Sequence, residues 1–269
     1  MSAPFGRRAL VVAQRREVGA YVVLVAPDPD GPAPRAGQFY MLAATAGWGA
    51  DVDERPFLPR AFSVLRARPG GLEFMLEAVG PGTARLAALA SGDGLWVTGP
   101  LGIGFDPPAG HDGGRRALLC GGGVGSAPLA IWQDELRRGD PDGPPARALL
   151  GFRDGAHAIG ATLLHDARVA TDDGSVGHHG PVTELLDAEL DEDSHVIVYA
   201  CGPPAMLEAV RARCAARGVP AQLALEAGMA CGFGACFGCV VALADGSYVR
   251  LCVDGPVLDA ARLSEVALP

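Results

Sequence analysis

Residues 231–252 read CGFGACFGCVVALADGSYVRLC and hold four of the chain's seven cysteines. Cys231, Cys236, Cys239 and Cys252 follow a C-x4-C-x2-C-x12-C pattern, the spacing of a plant-type [2Fe-2S] site with a distant fourth thiolate. Such a loop wraps one iron with two thiolates while a third and a more distant one hold the other. Gly232, Gly234 and Gly238 suit that task, because small residues let backbone N–H groups approach sulfur and permit positive φ. The alternative is a zinc site of four cysteines, which normally shows paired C-x2-C units where only one occurs here. The β-rich runs on either side of Asp245-Gly246 read as a hairpin.

Working outward, the first hundred residues carry six apolar runs: ALVVA (9–13), YVVLVA (21–26), FYMLAAT (39–45), AFSVL (61–65), LEFMLEAV (72–79) and LWVTGP (95–100). Separated by turn-rich stretches, they predict an antiparallel barrel or sandwich. From Arg115 the pattern changes to ALLCGGG, APLAIWQDELRR, RALLGF, SHVIVYACG and PAMLEAVRARCAARG, a run of strands and helices expected of an α/β unit. In the last of these, Met206, Leu207, Val210 and Cys214 share one helical face. At 269 residues more than one domain is expected, with boundaries at 1–108, 109–219 and 220–269. The fold class is therefore multidomain β plus α/β: an N-terminal antiparallel β-barrel, a Rossmann-like α/β domain and a small C-terminal cysteine-loop domain.

The net charge of -9 repels nucleic-acid phosphates and anionic lipid, so neither nucleic acid nor membrane is an expected partner. No apolar run reaches the roughly 18 residues of a membrane helix. The N-terminal apolar stretch ends at Gln14, Arg15 and Arg16, short of a signal-peptide core. A cytoplasmic location follows, where clustered thiols act as metal ligands more readily than as disulfides. Cys120 and Cys214 read as buried core thiols.

Several weaker signals stand in a fixed order. Arg60-Ala61-Phe62-Ser63 offers a guanidinium fork for a diphosphate and a hydroxyl for a flavin ring nitrogen, or else a plain barrel strand. Gly80-Pro81-Gly82-Thr83 opens a short helix whose free N–H groups can hold a phosphate, or is an ordinary capped turn. Gly121-Gly122-Gly123-Val124-Gly125 lies between a strand and a helix, the setting in which a glycine turn binds a pyrophosphate; it has no complete GxGxxG and also reads as a tight turn. Cys201-Gly202-Pro203 ends a later strand on the same carboxyl edge. His178-His179 reads as a solvated loop, and Asp172-Asp173 as a polar loop unless it touches a ribose. No Ser/His/Asp or HExxH arrangement supports hydrolysis.

Together these marks resemble the ferredoxin-NAD(P)H reductase superfamily. Within it the chain is similar to the electron-transfer subunits of class 1B dihydroorotate dehydrogenases, over nearly its whole length. The specific marks are GPLGIGF (99–105), TDDGSVGHHGPVT (171–183), YACGPPAML (199–207), EAGMACGFGACFGC (226–239) and CVDGPV (252–257). The x12 gap is shorter than in oxygenase reductases. The related small subunit of NADH-dependent ferredoxin:NADP oxidoreductase tends to carry Asp at the position of Cys231.

The resemblance implies FAD contacts at Arg60, Ala61, Phe62 and Ser63, at Met75, Leu76 and Glu77, and at Gly82 and Thr83. It implies NAD at Gly121, Gly122, Gly123, Val124 and Gly125 and at Cys201, Gly202 and Pro203. The four cysteines become ligands of the [2Fe-2S] cluster, Ser63 the residue tuning flavin N5, and Cys201 a lining of the nicotinamide site. Two residues depart from the pattern: Ala61 replaces a common Pro, and Glu77 stands where Arg is frequent. Function follows as an electron conduit in pyrimidine biosynthesis, from the FMN of a catalytic subunit through the cluster and FAD to NAD+, within a heterotetramer. Met229, Phe233 and Phe237 are expected to face that partner. The other readings are an NAD(P)H-dependent reductase for ferredoxin or sulfide, and a zinc-bound interaction or sensor module without flavin. The choice of NAD over NADP stays open at Arg153-Asp154, since one residue attracts a 2′-phosphate and the other repels it.

Overall fold

The computed structural model describes residues 6–48, 56–68, 71–108 and 114–264. The N-terminal part forms two four-stranded antiparallel sheets facing each other. One has the order β1 (Arg8–Val11), β8 (Gly94–Leu101), β4 (Phe39–Ala44), β5 (Arg60–Ser63), and the other β2 (Gln14–Val18), β3 (Tyr21–Pro27), β7 (Gly71–Leu76), β6 (Arg66–Arg68). Alternation explains the closure. Along β8, Leu95 and Val97 point into the core while Trp96 and Thr98 are half-buried. Leu24, Tyr40, Leu42, Phe74 and Leu76 complete the interior with no exposed surface. Each such side chain contributes about 1.5–3 kcal/mol of burial, enough for the apolar runs to dictate the pairing. A seven-residue helix, α1 (Pro81–Ala87), follows β7.

The α/β part is built on one seven-stranded sheet in the order β12 (His178–His179), β11 (Ala167–Thr171), β10 (Arg147–Phe152), β9 (Arg116–Gly122), β13 (Val196–Cys201), β14 (Ala221–Ala224), β17 (Val257–Asp259). All neighbours are parallel except β14 and β17. The two central strands, β9 and β13, are buried almost throughout, as strands covered on both faces must be. Their side chains alternate between two cores. Leu119 and Tyr199 meet Leu129 and Trp132 of α2 (Ser126–Gly139). Leu118 and Val198 meet Leu185 and Leu186 of α4 (Val182–Glu192) and Leu207 and Val210 of α5 (Pro204–Ala216). A four-residue helix, α3 (Gly155–Ala158), follows β10.

Chain order reverses between β9 and β13: successive strands build outward from β9 in one direction, then β13 returns to its other side. Ligands of such sheets sit in the crevice at this switch point, beyond the carboxyl ends of the strands.

The last segment carries the expected hairpin, β15 (Val240–Ala242) with β16 (Tyr248–Arg250), turning at Gly246 with φ +80°. Helix α6 (Leu251–Asp254) then presents Cys252. The sheet does not stop at the expected 219/220 boundary. β14 pairs with β13 and β17 closes the edge beside β14, because Leu223 and Leu258 complete the core under α5. The cysteine loop is thus an insertion between two strands of the α/β sheet. Among the described residues, no helix is long and apolar enough to cross a membrane.

Candidate functional site

At the switch point, β9 ends in the glycine turn and β13 in Cys201-Gly202-Pro203, with Gly121 paired to Cys201. Missing side chains let the two turns touch. A Cβ on Gly125 would lie 2.3 Å from the Cys201 carbonyl oxygen, and one on Gly122 would lie 2.8 Å from Met206 Sδ and Pro203 Cδ. Gly123 has φ +54°, and the Ser126 hydroxyl closes the turn by donating to its carbonyl at 2.9 Å.

Two cavities flank this turn. The first, of about 200 Å3, brings together Ala61, Phe62, Ser63 and Met75 of the barrel, Val124, Gly125 and Cys201 of the sheet, and Glu226, Ala227 and Met229 leading into the cysteine loop. The second, of about 520 Å3, lies on the other side of Gly123 and is walled by Gly122, Pro203, Arg153, His157, Asp172 and, from the barrel, Tyr21 and Glu77.

The first cavity holds two groups biased toward their neutral forms. Burial raises the Cys201 thiol well above its ordinary value, and the Glu226 carboxylate adds to the shift. Desolvation raises Glu226 itself, an exposed residue at the edge of the cavity. Glu226 and Cys201, both shifted toward their neutral forms, line this cavity together with Ser63.

Of the other expected FAD residues, Arg60 and Gly82 meet at the start of α1. A Cβ on Gly82 would lie 2.6 Å from Arg60 Nε, and Arg60 Nη1 donates to the Leu58 carbonyl at 2.5 Å. The Thr83 hydroxyl caps α1, accepting from Val79 and Gly80 N–H at 2.9 and 3.0 Å. Leu76 is fully buried in the barrel. Glu77 stands apart: its carboxylate lines the second cavity, hydrogen-bonded to Arg153 and 3.3 Å from His157 Nε2.

In the cysteine loop the thiols fall into two pairs, Cys231 with Cys236 and Cys239 with Cys252. Backbone donors surround them. Gly238 N–H donates to Cys236 Sγ at 3.5 Å and Cys252 N–H to Cys239 Sγ at 3.4 Å. Gly232 and Gly234 reach φ +81° and +85°, and Phe237 is held at +59°. Burial opposes ionisation of Cys231, but the N–H groups of Phe233, Cys236 and Ala235 and the Cys236 thiol outweigh it and bring its thiol to about 6. Cys252 is pushed up to about 12, by burial first and then by Cys239, so metal binding is what would remove its proton. Among the described residues no three His, Cys, Asp or Glu side chains close around a single ion. Two thiol pairs ringed by N–H donors fit a two-iron cluster better than one tetrahedral zinc.

The loop is seated on the barrel. A Cβ on Gly232 would lie 2.6 Å from Met41 Cγ, and Ile103 N–H donates to the Gly255 carbonyl. Its outer end exposes Phe233, Phe237 and Tyr248. Met229 lies on the inner side, in the first cavity.

Comparison with known proteins agrees with the fold. Residues 226–264 match the family model for the iron-sulfur cluster binding domain of dihydroorotate dehydrogenase B. The chain is 36% identical over 272 residues to the dihydroorotate dehydrogenase B (NAD(+)) electron transfer subunit of Bacillus caldolyticus, covering 98% of this chain and 99% of that one. It is 34% identical to the subunit of the same description from Caldanaerobacter subterraneus subsp. tengcongensis, covering 93% and 95%. Among solved structures, that of an NADH-dependent reduced ferredoxin-NADP oxidoreductase superposes with a TM-score of 0.78 at 23% identity, over 95% of this chain and 90% of that one. It shares the fold.

Proposed function

The chain belongs to the family of dihydroorotate dehydrogenase B electron-transfer subunits, and from that premise we propose how its residues divide the work. It is a flavin and iron-sulfur oxidoreductase subunit linking the FMN-containing catalytic subunit of dihydroorotate dehydrogenase to NAD+. When bound, the [2Fe-2S] cluster supplies single-electron transfer and FAD the exchange between single electrons and hydride.

The observation that carries the assignment is the first cavity, whose walls come from the barrel, the glycine turn and the approach to the cysteine loop. Ser63 donates to the flavin ring on one wall, and Gly125 and Cys201 admit the nicotinamide on another. Burial biases Cys201 and Glu226 toward their neutral forms, which lowers the charge facing the two rings. Glu226, the first residue of the EAGMACGFGACFGC stretch but given no role by sequence alone, joins Ser63 and Cys201 in positioning the two rings. Arg60 with Gly82 and Thr83 holds the flavin diphosphate. Gly121, Gly122 and Gly123, with Gly202 and Pro203, hold the pyrophosphate of NAD. Cys231 and Cys236 take one iron, Cys239 and Cys252 the other.

The units that do this are the barrel (1–108) for FAD, the α/β sheet including β14 and β17 for NAD, and the inserted loop for the cluster. The exposed apolar end of that loop, at Phe233 and Phe237, faces the catalytic subunit in a cytoplasmic heterotetramer. Mixing the purified chain with that subunit and following dihydroorotate-dependent formation of NADH tests the reading. NADH formation that requires both chains is expected; formation by the catalytic subunit alone, or none from the mixture, contradicts it.

A further inference from the structure

With the nicotinamide in the first cavity and the pyrophosphate at the glycine turn, as proposed above, the adenosine half of the dinucleotide falls to the second cavity, which then bears on which dinucleotide the protein accepts. Its wall presents the Arg153 guanidinium, one residue past β10 on the carboxyl edge of the sheet. An arginine in such a place accommodates a 2′-phosphate. Here it is already engaged. Arg153 Nη2 donates to Glu77 Oε1 at 2.5 Å, and Glu77 comes from the barrel, 76 positions earlier in the chain. The carboxylate is the inner partner, with its side chain 21% exposed against 60% for Arg153. His157 stands between Glu77 and Asp154, at 3.3 and 2.7 Å.

The other acid on the wall, Asp172, follows β11 and has no side-chain partner among the described residues. It is free to accept from ribose hydroxyls. Glu77 and Asp172 together outnumber the single guanidinium on this wall among the described residues, so a 2′-phosphate, carrying about -1.5 to -2 charges, would meet an arginine already paired.

This wall is assembled from two domains and held in register. Ala20 N–H of the barrel donates to the Ala156 carbonyl at 3.1 Å, where a Cβ on Gly19 would come within 2.0 Å of the same oxygen. The Tyr21 ring stands edge-on to His157 with centroids 5.6 Å apart. The Tyr21 hydroxyl is buried and has no hydrogen-bond partner among the described residues, and it faces Gly123, where a Cβ would lie 3.9 Å away. An orphaned buried hydroxyl costs about 1–3 kcal/mol, which points to a ligand that brings an acceptor oxygen to this turn.

We propose that Glu77 is a specificity residue: by occupying Arg153 from the neighbouring domain, it makes the cavity accept NAD and refuse NADP. Selection of this kind works by withholding a partner from the wrong ligand as much as by holding the right one.

Calorimetric titration with adenosine 5′-monophosphate and adenosine 2′,5′-bisphosphate tests the proposal on the purified, flavin-loaded chain. The wild type should prefer the monophosphate. Glu77→Gln should shift the affinity ratio toward the bisphosphate by at least about tenfold, with the same change in the NADPH/NADH ratio of kcat/KM with ferricyanide. Glu77→Asp should keep the wild-type preference, and Glu77→Gln combined with Arg153→Gln should lose the gain. A ratio that moves less than about twofold in Glu77→Gln, or a gain that survives removal of Arg153, overturns the proposal. Flavin content and Tm of each variant establish folding, and Glu77→Met replaces the Gln variant if that one fails. Failure of the monophosphate to bind the wild type would instead overturn the assignment of the cavity to adenosine.

Discussion

The turn at 121–125 and the loop at 231–239 are both rich in glycine, and each uses it differently. In the turn only Gly123 has positive φ; Gly122 and Gly125 are glycine because the ends of β9 and β13 would otherwise collide at 2.3–2.8 Å. In the loop Gly232 and Gly234 lie in the left-handed region and even Phe237 is forced there, so that successive N–H groups converge on sulfur. At Gly122 and Gly125 the turn needs absent volume alone, whereas the loop needs left-handed backbone as well as absent volume, since a Cβ on Gly232 or Gly234 would also meet Met41 or Val253 at 2.6–2.7 Å. The turn is therefore vulnerable to added carbon, and the loop both to that and to residues that resist positive φ.

Substitutions can separate the two. The largest effect is expected from Cys239→Ser, which removes a ligand from the buried thiol pair: the cluster absorption and transfer to the catalytic subunit should disappear, while NADH-ferricyanide activity through the turn persists. Gly125→Ala should do the reverse. Its methyl group must displace the Cys201 backbone, and a misplacement near 1 Å lowers kcat/KM for NADH by about 100-fold, with iron and sulfide content unchanged.

Glu226, between β14 and the cysteine loop, gives a smaller and pH-dependent effect. Desolvation raises its carboxyl in the folded chain, so the folded state binds that proton more tightly than the unfolded state does. Its contribution is fullest below about 4.3, the ordinary glutamate value, and is lost as pH rises through the higher folded value. Glu226→Gln should accordingly raise Tm at pH 8 and leave it unchanged near pH 4, as thermal unfolding at the two pH values would show. The smallest effect is expected at Gly246, which has positive φ but nothing within 4 Å of an added Cβ. Gly246→Ala should cost about 1–2 kcal/mol in denaturant unfolding without altering either cofactor, showing what chirality alone is worth when no sulfur depends on it.

Much of this was legible in the sequence because it depends on local pattern. The apolar runs gave β3, β4, β7 and β8, and cysteine spacing anticipated a loop in which the thiols pair two and two. β2 (QRREV) and β6 (RAR) did not announce themselves, since their charged side chains lie at the barrel surface and only pairing with β3 and β7 makes them strands. In α4, Val182, Leu185, Leu186 and Leu190 carry a helical period, but the matching position 189 is a glutamate. Glu189 is buried because Arg147 and Arg168 hold it, a fact of tertiary structure. Glu226 is a lone acid after a short strand. Its placement in the first cavity follows from β14 joining the sheet beside β13, which also moved the expected boundary at 219/220. The Glu77–Arg153 pair joins two domains, and no local pattern encodes it.

The most direct test of the account is the composition of the anaerobically purified chain: iron, acid-labile sulfide, zinc and flavin measured on one sample together with its visible spectrum. About two irons, two sulfides and one FAD per chain are predicted, with flavin bands over a broad cluster absorption. Stoichiometric zinc without flavin would contradict the account, leaving the four cysteines as a structural knot and the first cavity without its ring.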